Sequence, residues 1–177
     1  MHENSINLMN MFIDRHITST SGSVLDVGSM NINGTYRDQW NGWDYTGIDI
    51  SEGLDVDIVV SGNGIWDLHK QFDVVISGST LEHVRCLFQL VNTIGQHLRK
   101  DGFLFFCAPF QWGIHNYPND YWRFCPDGMG ELCRLADCEV LEANVSGLDA
   151  YVFGRKLTPS RWDYQGFCGE RVRGSFG

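Results

Sequence analysis

A single α/β domain built on a doubly wound, mostly parallel sheet is the fold this sequence predicts, on three observations. Short β-forming runs (Val24–Val27, Tyr45–Ile50, Phe72–Ser77, Phe103–Ala108) alternate with stretches of helical period or with loops. The first run stops at Gly28, where the chain has to turn sharply, and the second carries an acid, Asp49, about 20 residues further on. The length of 177 residues suits one domain, and 43% hydrophobic with 20% charged residues is a globular composition.

Ile6, Met9, Phe12, Ile13 and His16 fall at helical spacing, so an amphipathic helix is expected over Ser5–Ile17, within an N-terminal segment of residues 1–20. Thr18–Ser23 is polar and leads into the first strand. Gly34–Trp43 is expected to hold a short helix and a loop, with Tyr36 either beside a ligand or packing the first helix on the sheet. Between Ile50 and the apolar run Val56–Val60 stands Ser51–Asp55, too short for the dozen-residue crossover that parallel strands need. The second crossover helix is therefore missing. The third strand is either a truncated edge reached by a tight loop or one not paired in parallel. The sheet face left uncovered there is a candidate homodimer interface.

Ser61–Gly64 is a turn cluster. Phe72–Ser77, nearly all apolar, reads as a central parallel strand. Leu87–Leu98 reads as a helix with Leu87, Leu90, Val91, Ile94 and Leu98 on one face, and Lys100–Gly102 as the turn into the next strand. Pro109–Cys125 has no clear period, and long loops at this edge of such a sheet are commonly functional. Pro126 opens a helix as its first residue, ending near Ala136. Glu139–Val145 and Tyr151–Lys156 are expected to close the sheet as an antiparallel pair. Residues 1–157 then form the domain, and 158–177, rich in Gly and Arg with aromatics, a weakly ordered tail or docking arm.

A Gly-bearing first turn followed by an acid is the layout of a nucleoside site: the acid accepts the ribose hydroxyls and the glycines admit the ligand to bare backbone. A dinucleotide needs G-x-G-x-x-G for its pyrophosphate, but Met30 and Asn33 occupy the second and third positions counted from Gly28, which disfavours an NAD-linked oxidoreductase. What remains is Asp26-x-Gly28, five residues, then Gly34. This pattern resembles motif I of the class I S-adenosylmethionine-dependent methyltransferases. Phe72-Asp73-Val74-Val75, Glu82-His83-Val84 and Lys100-Asp101-Gly102 resemble the F-D-x-V, E-H-V and L-K-x-G-G segments of their type 11 group. His115, Pro118, Asp120, Trp122, Arg123 and Phe124 match the H-x-x-P-x-D-x-W-R-F segment of small members. The likeness spans Ser23 to about Ala143.

The resemblance implies a Rossmann-like domain that binds S-adenosylmethionine and methylates a small-molecule acceptor. Asp26, Gly28 and Ser29, with Gly34 closing the motif, would hold the methionine end, and Ser77 and Gly78 would close over it. Asp49 would take the ribose diol, and Ile50 with Asn63 would flank the adenine. His115 is the candidate base, since an imidazole titrates near neutrality. Glu82, Tyr117, Asp120 and Arg123 are candidates for substrate binding, although Asp120 and Arg123 in such segments also pair to brace the loop, and Glu82 is equally explained by a helix's first turn. For His83 a helix-capping or packing role is expected. Three departures bear on affinity: Gly28-Ser29-Met30 replaces Gly-x-Gly, the second helix is missing, and Asn63 stands where an acid is common. The alternative is a non-catalytic module that keeps the fold and has lost the cofactor.

A net charge of −9 argues against nucleic acid or an anionic membrane as partner, despite Arg155, Lys156, Arg161, Arg171 and Arg173 near the C-terminus. No window approaches the ~20 apolar residues of a membrane span, and the first 20 residues lack a signal-peptide pattern, so a cytoplasmic protein is expected. The six cysteines show no C-x-x-C pair and read as free thiols. No metal-ligand spacing, G-x-S-x-G or phosphate-binding lysine loop is present.

Overall fold

The computed structural model describes residues 3–115 and 119–157. Its elements are α1 (Glu3–His16), β1 (Ser23–Val27), β2 (Asp44–Asp49), β3 (Ile58–Val59), β4 (Phe72–Gly78), α2 (Leu87–His97), β5 (Leu98–Pro109), α3 (Pro126–Leu135), β6 (Cys138–Ser146) and β7 (Asp149–Lys156). Single 3-10 turns occupy Arg37–Gln39 and Leu81–His83. The seven strands form one sheet in the order β3-β2-β1-β4-β5-β7-β6. All pairings from β3 to β5 are parallel, and β7 runs antiparallel to both β5 and β6. The strand order reverses between β1 and β4, so the crevice above their C-terminal ends is the expected ligand site of such a sheet.

Alternation along each strand divides the core in two. Leu25, Val27, Val75, Leu104, Phe106 and Val152 face α2 and α3, where Leu87, Leu90, Val91 and Ile94 meet Met129, Leu132 and Cys133. Val24, Val74, Ile76, Phe105 and Phe153 face α1, which buries Leu8, Met9 and Phe12. Phe12 lies 5.5 Å from Phe105 and 5.3 Å from Phe153, ring centre to ring centre. Gly95 brings α2 close to α3, because a Cβ there would sit 2.7 Å from the Ala136 carbonyl oxygen.

The loop between β2 and β3 carries no helix, as its length requires, and β3 is a two-residue edge paired in parallel with β2. Ile58 and Val59 are both exposed, as are Ile50 and Leu54 nearby. The β3–β4 connection, where only the Ser61–Gly64 turn cluster is read from sequence, holds no helix, and Trp66 and Leu68 pack on the core there, with Trp66 4.5 Å from the His97 ring. Two expectations need correction. The segment from Gly34 to Trp43 holds one 3-10 turn rather than a short helix, and buried Tyr36 and Trp40 cover the sheet in its place. Lys100–Gly102 is not a turn outside the ladder. β5 already begins at Leu98 opposite Phe72 and bulges, Asp101 at φ +62°, before Phe103 pairs with Val74.

Among the described residues no helix is long and apolar enough to cross a membrane. The five described cysteines are all free thiols. Tyr117, Pro118 and the tail of residues 158–177 lie outside the described residues.

Candidate active site

Gly28 ends β1 with φ +85°, and a Cβ on it would overlap the Thr80 side chain from the loop after β4. The Gly28 and Ser29 amides both donate to the Ile48 carbonyl, at 2.8 and 3.0 Å, which fixes the turn against the end of β2. There Asp49 receives the Met30 amide on Oδ2 (3.2 Å) and the Ile50 amide on Oδ1 (2.7 Å). A carboxylate is thus held at the tip of β2 beside the Gly28 turn. Ile50 is 55% exposed, with Gly62 of the next loop packed on its side chain.

Asp26 lies on the α1 face of β1 and is buried. Tyr45 of β2 donates to its Oδ2 at 2.5 Å. Burial is the leading cause that lifts its pKa from 3.8 to about 7; Asp49 and Asp55 push the same way, while Tyr45 and Arg37 oppose. A carboxyl raised on folding stabilises the fold fully below its unfolded pKa and loses that contribution as pH rises through the folded value. The melting temperature is therefore expected to fall as pH rises from about 4 through about 7, and Asp26→Asn, which cannot ionise, is expected to flatten that decline in a thermal-shift series.

Several predicted cofactor residues are engaged within the protein. The Ser29 hydroxyl donates to the Asp55 carbonyl at 3.0 Å, and the Ser77 hydroxyl donates to the Val27 carbonyl at 2.8 Å, tying β4 to β1. Gly78 makes room for Tyr36, whose hydroxyl bonds Ser5 of α1 and whose ring meets Phe105 edge-on. Tyr36 therefore packs α1 onto the sheet. Gly34 adopts φ +122°, its amide donating to the Asn31 side-chain oxygen at 2.9 Å. The Asn63 side-chain oxygen accepts the Ile65 amide at 2.9 Å, an Asx turn that explains the residue without a ligand.

The acceptor-side candidates gather above the ends of β4 and β5. Arg123 donates from Nη1 and Nη2 to the two Asp120 oxygens at 2.5 and 2.6 Å, from Nε to the Trp112 carbonyl and from Nη2 to the Gly113 carbonyl. The guanidinium holds the Asp120 carboxyl well below the usual range. This pair braces loop 109–125. Trp122 Nε1 and the Tyr121 amide fasten the loop to the Val84 and Glu82 carbonyls.

Glu82 sits in the first turn of a helix, as expected, but of the short 3-10 helix Leu81–His83 ahead of α2 and not of α2 itself. It is fully buried, and among the described residues neither carboxylate oxygen has a hydrogen-bond partner. Burial chiefly raises its pKa to about 8. His83 does not cap α2; its Nδ1 faces the Asn119 carbonyl and its Nε2 stands 3.6 Å from Glu82 Oε1. His115 Nε2 stands 3.8 Å from the same oxygen, with Nδ1 backed by the Gly113 carbonyl at 3.2 Å and Asp120 Oδ2 at 3.4 Å. Tyr45, Thr80 and the joining of His83 to this cluster were missed from sequence. The Glu-His dipeptide and a histidine in the long loop were the visible signal. Two surface grooves, one lined by Ile65, Trp66, His69 and His97 and one by Thr18, Trp43, Asp73 and Lys100, open at the opposite edge of the sheet and contain none of the predicted site residues.

A family model described as a methyltransferase domain matches residues 4–143. No curated protein matches the sequence. Among solved structures, the 1,6-didemethyltoxoflavin-N1-methyltransferase of Burkholderia thailandensis, bound to 1,6-didemethyltoxoflavin and S-adenosylhomocysteine, is similar at TM-score 0.68 and 19% identity, over 88% of this chain and 78% of that one. An S-adenosylmethionine-dependent methyltransferase from Clostridium acetobutylicum is similar at TM-score 0.67 and 8% identity, over 89% and 93%. The [4+2]-cyclase SpnF shares the fold at TM-score 0.68 and 14% identity, over 86% and 81%. With four-fifths of its length under the family model and the β3-β2-β1-β4-β5-β7-β6 sheet, the chain belongs to the class I methyltransferases, whose cofactor is S-adenosylmethionine.

Proposed function

We propose that this protein binds S-adenosylmethionine above β1 and β2 and transfers its methyl group to a small-molecule acceptor held under loop 109–125. The observation that carries the reading is Asp49, held at the tip of β2 by two backbone amides beside the Gly28 turn. A ribose donates two hydroxyls, and a carboxylate fixed in this way has lone pairs left to accept them. Ile50 supplies an apolar shelf for the adenine, and Asp26 lies where the cofactor's positive charges favour its ionised form. Methyl transfer is an in-line displacement in which the protein aligns donor and acceptor and removes at most one proton. His115, partly exposed above the end of β5, is the base in this reading.

Asp49→Ala is expected to weaken S-adenosylmethionine binding by roughly 1–3 kcal/mol, about 5- to 150-fold, in a calorimetric titration. Unchanged affinity would remove Asp49 from the site. The fold is shared with a [4+2]-cyclase, so the fold alone does not assign the reaction. Parallel titrations with S-adenosylmethionine, S-adenosylhomocysteine and NAD separate the readings. Stabilisation by the first two supports the enzyme, and no response to any of them supports a module that has lost its cofactor.

A further inference from the structure

We infer that Glu82, His83 and His115 form a binding site for a divalent transition-metal cation at the acceptor end of the crevice. Three ligand atoms, one carboxylate oxygen and two imidazole nitrogens, lie within 4.8 Å of one another. A fully buried carboxylate whose two oxygens lack hydrogen-bond partners among the described residues is costly unless something compensates it. A cation does so.

The two histidines are prepared for that role. Each has its Nδ1 against an acceptor: the Asn119 carbonyl for His83, the Gly113 carbonyl and the Asp120 carboxylate for His115. An Nδ1–H donating there leaves Nε2 as the lone-pair nitrogen, and both Nε2 atoms are the ones turned toward Glu82 Oε1. Backing of a ligating imidazole by a carbonyl or carboxylate is the usual outer arrangement of metal-bound histidine. The heavy-atom positions are thus compatible with both Nε2 lone pairs facing the same carboxylate oxygen, the arrangement that ligation requires. The rings stand edge to face, 5.0 Å apart, on the loop after β4 and the loop after β5, so the site exists once loop 109–125 is seated.

Two imidazoles and one carboxylate suit zinc, iron(II), cobalt(II) or nickel(II) better than magnesium or calcium, which prefer all-oxygen sets. Three protein ligands leave positions open for water or for an oxygen of the acceptor, whose proton such a cation makes more acidic. That use of the ion rests on the methyltransferase reading; its binding does not. With the ion bound, His115 is a ligand, and the ion rather than the imidazole activates the acceptor.

The test is a titration of the chelator-treated full chain with CoCl2, followed by visible absorption and by calorimetry, with MgCl2 in parallel. Cobalt(II) reports its ligands, so nitrogen–oxygen coordination is distinguished from binding to the free thiols. One cobalt(II) per chain without thiolate absorption is expected, with much weaker magnesium binding. Glu82→Gln, which keeps the shape of the buried group, and His115→Ala are each expected to weaken cobalt(II) binding by more than the ~10- to 100-fold that loss of an outer partner costs. Cooperative thermal unfolding of each variant, read in the same preparations, shows that both variants fold, independently of any cofactor. No cobalt(II) binding by the parent chain, or equal binding by parent and variants, overturns the inference. Failure of the parent chain to bind S-adenosylmethionine counts against the proposed function alone.

Discussion

Gly28→Ala is expected to destabilise the protein by about 3 kcal/mol or more and to abolish cofactor binding with it. Two independent costs meet at this residue. Its φ of +85° is open to glycine and strained for any residue with a Cβ. A Cβ would also overlap the Thr80 side chain, which packs over the turn from the loop after β4. The turn cannot move aside cheaply, because the Gly28 and Ser29 amides both donate to the Ile48 carbonyl and each bond contributes about 1 kcal/mol. Thr80→Ala in the same chain relieves part of the steric cost, removing the hydroxyl and methyl nearest the added Cβ while the Thr80 Cβ stays 2.7 Å away, and leaves the backbone part; a partial recovery is expected. Gly113→Ala is the control, since nothing lies within 4 Å of a Cβ there. Urea denaturation of the four proteins checks this; a Gly28→Ala protein as stable as its parent would show that the turn is not fixed as described.

What the sequence reveals follows the same division between backbone need and side-chain choice. β4 is buried on both faces except at Asp73, so Phe72–Gly78 is a nearly continuous apolar run and legible as a central strand. The missing β2–β3 helix is legible because Ser51–Asp55 cannot span a crossover. The packing of Trp66 and Leu68 on the core between β3 and β4 is not legible, because these two apolar residues after the Ser61–Gly64 turn cluster carry no period. Hydroxyls and amides are the least legible. Ser29, Ser77 and Asn63 stand where a cofactor-binding motif places polar groups, yet each finds a backbone partner first, and no spacing rule says which acceptor a hydroxyl will meet. The Glu82–His83–His115 cluster has no linear signature, because its third member is 32 residues (115 − 83) beyond the second and arrives on another strand's loop.

Arg123→Met is expected to release loop 109–125 while leaving the cofactor half of the crevice intact. The guanidinium is the loop's chief internal tie. It grips both oxygens of Asp120, whose side chain is only 1% exposed, and it closes onto the carbonyls of Trp112, Gly113 and Trp122. Removing Arg123 costs Asp120 a two-pronged, charge-assisted pair; with Arg123 29% exposed and the pair near the surface, about 1–3 kcal/mol is expected, roughly 5- to 150-fold in local opening. Lysine is not expected to rescue, since a point charge cannot reproduce the two-pronged grip. The pH dependence has a definite sign. A carboxyl lowered on folding stabilises above its unfolded pKa and loses that contribution as pH falls, so the parent loop loosens below about pH 4 and the variant loses this acid-dependent contribution. Amide exchange is the direct readout: residues 110–115 and 119–124 are expected to exchange faster in the variant, and β1 and β2 are not. Because His115 rides on this loop and Asp49 does not, the same variant is expected to lose cobalt(II) binding and keep S-adenosylmethionine. Loss of both would mean that the loop also supports the cofactor. Loss of neither would mean that the bonds to Val84, Glu82 and Asp149 hold it without Arg123.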